Sequence, residues 1–154
     1  MSLKLHKQWQ LLFGLLLLVR AASASEWVGV NDPQRAEYNW VMHCRGCHGI
    51  DAKGSKGGAP NMVGVVSQFL HTEEGRAYLG RVPGVAFVAL PNSEVADLLN
   101  WLTQTFDRGH MPKGFVPYKS EEVAQLKKSP LITEAFNKRQ EILESLAGGN
   151  VTVK

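Results

Sequence analysis

Cys44-Arg45-Gly46-Cys47-His48 constrains this chain more than any other stretch, and it holds the only two cysteines among 154 residues. Two thiols separated by two residues and followed by an imidazole have few uses. A thioredoxin-type dithiol sits at a strand-to-helix turn, and no strand run precedes Cys44. A structural zinc site takes four ligands, and a second pair at finger-like spacing is missing. A disulfide between residues three apart is strained and uncommon. The use that remains is covalent attachment of a c-type haem. Each thiol adds across one vinyl group, and the two vinyls sit on neighbouring pyrrole rings. A two-residue spacer, in a turn entering a helix, lets both sulfurs reach one edge of the macrocycle. The next residue then lies under the ring centre, where His48 offers an imidazole nitrogen to the iron.

The N-terminus points to export, where such attachment takes place in bacteria. Lys4, His6 and Lys7 are basic, Leu11 to Val19 is apolar, and Ala22-Ser23-Ala24 has the small-x-small form. Residues 1–24 read as a secretory signal peptide cleaved after Ala24. A spanning helix needs about 20 apolar residues, and Arg20 closes this run well short of that. No stable membrane insertion is expected after cleavage, and the location is periplasmic or secreted. The chain has 17 basic and 14 acidic residues. Lys4, Lys7 and Arg20 fall in the leader, so the remainder is near neutral and gives no electrostatic case for nucleic acid.

Past the leader the pattern is all-α. Pro33 after Asn31-Asp32 opens a helix, and Pro33 to His43 runs into the cysteine motif. Gly49 to Gly64 is a glycine-rich loop that resembles a phosphate loop only superficially, lacking its G-x-x-x-x-G-K-[ST] order. Val65 to Leu70 is a short helix. Glu73 to Leu79 is another, with Thr72 as N-cap and Gly80 as C-cap. Val85 to Leu90 is an apolar run, either a short strand or an extended cover. From Ser93 to Phe106 the apolar positions Val95, Leu98, Leu99, Leu102 and Phe106 mark the clearest helix, with Trp101 widening the stripe. Ser120 caps a further short helix. Leu131 to Leu146 is a final amphipathic one, its stripe including Ile132, Ala135, Phe136, Arg139, Ile142, Leu143 and Leu146.

Residues 31–106 resemble the class I monohaem cytochrome c family. The resemblance rests on a helix with Tyr38 and Trp40 entering C-x-x-C-H-G, on Ala59-Pro60-Asn61-Met62-x-Gly64, and on the helix Ser93–Phe106. It implies cytochrome c-like helices wrapped around one covalent haem. It also implies that Pro60 offers its carbonyl to the second nitrogen of His48. The family usually places a methionine ligand in the loop before its C-terminal helix, and here Gly84 to Leu90 contains none. Met111 is the leading candidate for the sixth ligand. His110, His71, Met62 and a site with no protein ligand, behind a cover such as Val85 and Phe87, stay open. Residues 107–154 have no counterpart in the minimal family and form a C-terminal helical extension.

The implied function is single-electron transfer between redox proteins, a dehydrogenase and a terminal acceptor, with no catalytic residues of its own. The alternatives are a haem subunit of a larger dehydrogenase, or an open-site haem protein that binds small ligands or reacts with peroxide. The latter needs a distal acid/base, for which Arg81 and His110 are the nearby candidates.

Overall fold

The computed structural model describes residues 27–149. The leader, with the cleavage expected after Ala24, lies outside the described residues. Seven α-helices and two 3-10 helices make up the described chain, and it contains no strand. No helix among the described residues is long and apolar enough to cross a membrane.

Helix α1 (Pro33–His43) starts as expected: the Asp32 carboxylate accepts the Arg35 N–H at 2.9 Å, and Pro33 takes the first turn, where no N–H is needed. Arg45–His48 forms the single turn α2. A 3-10 helix (Val66–His71) leads into α3 (Glu73–Arg81), where Thr72 caps the Gly75 N–H at 3.0 Å. Gly80 does not end α3, which runs on to Arg81 before Pro83. Its hydrogen side chain serves packing instead, since a Cβ there would lie 2.5 Å from Leu126 Cδ1. The apolar run after it contains no strand, and its first two residues, Val85 and Ala86, are helical. Val82-Pro83 opens the short helix α4 (Pro83–Ala86), because proline pre-sets the first helical φ.

Helix α5 (Asn92–Asp107) is the axis of the molecule. Val95, Leu98, Leu99 and Leu102 of its apolar stripe are buried as expected and Phe106 is half-buried, but Asp97, Asn100, Thr103, Gln104 and Asp107 are buried too. Residues 27–32 cross one polar side, where Asp97 accepts from Asn31 and Asp32, and Gln104 bonds Val28. Helix α1 packs across another side, with Ala36 and Trp40 buried. Arg108–His110 is the second 3-10 helix, followed by α6 (Ser120–Leu126) and α7 (Ala135–Ala147). Ser120 is the first residue of α6, and no side chain caps it. Helix α7 starts four residues later than its stripe suggests: the Leu131 N–H is spent on the Arg81 carbonyl at 2.9 Å, and Ile132 is exposed. Tyr118, Val123, Leu131 and Ile142 join the same core cluster as Trp40 and Leu99.

Asn100 ties these layers together. Wholly buried, it donates to the Gly29 carbonyl at 2.8 Å and the Tyr118 carbonyl at 3.1 Å, and accepts the Tyr118 N–H at 2.8 Å. Asn100→Ala strands these backbone groups and leaves a void, so a loss of about 3 kcal/mol is expected. Urea unfolding reads it as a lower midpoint with an unchanged slope.

Candidate functional site

The cysteine motif is placed by the end of α1. Cys44 closes that helix, its N–H donating to the Trp40 carbonyl at 3.0 Å, and begins the next turn. The N–H groups of Cys47 and His48 both return to the Cys44 carbonyl, at 3.1 and 3.0 Å. One helical turn thus presents both thiols and the imidazole together. Both cysteines are free, Cys44 half-buried and Cys47 exposed. Burial, reinforced by the neighbouring Cys47, pushes the Cys44 thiol up to about 11.

The glycine-rich loop then folds back onto His48. Gly54 donates to the His48 carbonyl at 2.7 Å, Ser55 to the Ala59 carbonyl at 3.0 Å, and Met62 to the Ala52 carbonyl at 2.9 Å. Gly54 has φ +69°, and a Cβ there would sit 2.1 Å from the Ala59 oxygen, so the loop closes only around glycine. The result is the Pro60 carbonyl 3.1 Å from His48 Nδ1. Burial lowers the His48 pKa while this hydrogen bond opposes the shift, and the net direction is down. The ring is therefore neutral at neutral pH, the form in which imidazole binds metal. Its Nε2 makes no hydrogen bond. No fully buried side-chain nitrogen or oxygen among the described residues lacks a partner, so Nε2 is accessible, and His48 lines a cavity.

That cavity measures about 410 Å³, within the range of small-molecule and cofactor sites. One wall carries Trp40, His43, Cys44, Cys47, His48 and residues 58–62. Another comes from Tyr78 and Leu79 of α3 and from Val82 to Val85. Val66, Phe69, Leu99 and Leu102 form the floor, and Ala135, Phe136 and Arg139 of α7 complete the enclosure. The motif turn packs on α1, and α3 and α4 pack on each other. Trp40 holds the imidazole at a ring separation of 5.9 Å, and Phe106 backs Trp40 at 4.7 Å. Two thiols, an accessible imidazole nitrogen and apolar walls suit a haem, which needs covalent tethers, an axial base and exclusion of water.

The structure brings Cys44, Cys47, His48 and Pro60 together and leaves Met111 out. Met111 is half-buried beyond the second 3-10 helix and does not line the cavity. His110 is turned to the buried Asp107 carboxylate, 2.5 Å from its Nδ1, and the His110 carbonyl lies 2.9 Å from His71 Nε2. Asp107 also accepts the Ser67 N–H, so this cluster belongs to the far end of α5. Phe87, expected as a cover, is 62% exposed and off the cavity wall, while Val85 is on it. The contribution of α7 has one sequence signal, a charged Arg139 within an apolar stripe.

An all-helical shell around such a cavity defines a small haem-binding helical protein. Comparison with known proteins narrows the class. The chain is 31% identical over 106 residues to a cytochrome c-552 of Thermus thermophilus, covering 57% of this chain and 81% of the relative. A second cytochrome c-552 of Thermus thermophilus is likewise 31% identical over 106 residues, 57% of this chain and 72% of that protein. The chain belongs to the c-type cytochromes. No family model matches it, and no solved structure gives a significant match.

Proposed function

We propose that the chain is an exported, monohaem electron carrier of class I, with its haem joined through Cys44 and Cys47 and ligated by His48. The observation that carries this reading is the opening of both thiols and a Pro60-oriented imidazole onto one apolar cavity. When bound, the haem supplies a one-electron iron couple. The chain's own residues set its conditions. The Pro60 carbonyl accepts the Nδ1 proton, which leaves the lone pair on Nε2 and fixes the ring. Leu99, Leu102 and Phe69 keep water from the cavity floor. Phe136, 70% exposed and on the cavity wall, provides apolar surface for brief docking of a dehydrogenase or an acceptor. Residues 31–106 form the cytochrome domain, and 107–154 are a helical extension that completes its pocket.

In this reading Met111 is not the second axial ligand. The part of the wall formed by Tyr78, Leu79, Val82 and Val85 carries neither sulfur nor imidazole. Met62 belongs to the loop that carries Pro60 behind His48, and its N–H is held by Ala52. His48 would then be the one protein ligand to the iron, with Val82 and Val85 as apolar cover in the same cavity.

Expression with export and a c-type maturation system tests the proposal. One haem per chain is expected, with a c-type pyridine haemochrome and a reversible one-electron wave. Haem that acidified acetone extracts, or an exported chain without haem, overturns it.

A further inference from the structure

His71 and His110 lie off the cavity wall and are brought together where the two 3-10 helices pack on each other. His71 closes the first of these helices, and its Nε2 is 2.9 Å from the His110 carbonyl. A carbonyl only accepts, so Nε2 carries the proton and the neutral ring keeps its lone pair on Nδ1. His110 closes the second, with Nδ1 2.5 Å from the Asp107 carboxylate. That ring therefore has its proton on Nδ1 and its lone pair on Nε2. The Asp107 side chain is 2% exposed and is itself fixed by the Ser67 N–H at 2.9 Å. His71 Nδ1 and His110 Nε2 make no hydrogen bond within the described residues, and both side chains reach solvent. Each imidazole thus has one nitrogen engaged by an oxygen acceptor and the other available. Histidines that ligate metal ions are arranged in this way, because the acceptor sets the tautomer and raises the basicity of the ligating nitrogen. The buried Asp107 charge behind His110 favours a cation further.

We propose that His71 and His110 form a surface site for a divalent transition-metal ion, Cu(II) or Zn(II), with Asp107 positioning the His110 ring. Imidazole nitrogen suits both ions. No three His, Cys, Asp or Glu side chains among the described residues are grouped to hold a metal. The two imidazoles are therefore the protein's whole contribution, and solvent completes the coordination. The site stands apart from the haem cavity and does not rest on the haem reading.

The test uses the full haem-loaded protein in its ferric state, with Cu(II) and Zn(II) salts as the probes. Calorimetric titration should give one ion per chain, and the Cu(II) EPR spectrum should show hyperfine splitting from two nitrogens. Asp107→Asn should keep both nitrogens, shift the copper coupling and weaken binding about tenfold. His71→Gln and His110→Gln should each weaken it by more than that and leave a single nitrogen. Absence of binding by the wild-type chain overturns the site, as does binding that survives the His71→Gln/His110→Gln double variant. A wild-type spectrum with one nitrogen, unchanged in His71→Gln, overturns the pairing. If Asp107→Asn fails to accumulate, the two histidine variants decide, since both rings are at the surface.

Discussion

Serine at both Cys44 and Cys47 is expected to leave a folded chain with no covalently attached haem. Serine keeps the size of the side chain but cannot form the thioether, and neither site is deeply buried. A stability cost within about 1 kcal/mol follows for the chain without haem. Some haem should still enter, held by His48 alone, and acidified acetone should then extract it completely. A single Cys47→Ser variant retains one bond, from the half-buried Cys44. Haem staining on a denaturing gel separates the three proteins. A double variant that stained like the wild type would sink the assignment of both sulfurs.

The second large effect is expected at Val85. This residue lies in α4, half-buried on the wall of the cavity that His48 also lines. Methionine is flexible enough to fill irregular space and carries a soft sulfur ligand, so Val85→Met places a thioether where the wild-type wall has a methyl group. The added bulk costs about 1–3 kcal/mol of packing. The wild-type ferrous protein should bind carbon monoxide readily, and Val85→Met should turn low-spin and bind it at least about tenfold more slowly. Met111→Leu should change neither spectrum nor rate. A wild-type protein that is already low-spin and inert to carbon monoxide would refute the assignment of Val82 and Val85 as the cover.

The features legible in the sequence are those governed by local chemistry. The Asp32-Pro33 start of α1, the Thr72 cap and the apolar stripe of α5 depend on neighbours within a turn. The Cys44–His48 turn is likewise short-range, and the Pro60 carbonyl, implied by the family resemblance, lies twelve residues from His48. What escaped notice depends on distant partners. Gly80 carries a helix-stop residue type but accommodates Leu126 from α6. Asn100 sits among apolar positions, so a periodicity argument passes over it, although three backbone groups converge on it. The stripe of the last helix runs back to Leu131, yet a hydrogen bond to Arg81 keeps that residue out of the helix. Spacing from His48 made Met111 plausible as a ligand. The cavity wall, assembled from six segments, does not include it.

The wall supplied by α7 also has a consequence for what a shortened chain could hold. The thiols and the imidazole lie at residues 44–48, whereas Ala135, Phe136 and Arg139 come from the last described helix. Helix α7 rests chiefly on α3 and the 3-10 helix before it. Without it the pocket keeps its attachment chemistry and loses part of its wall. Attachment and closure are thereby carried by distant segments of one chain.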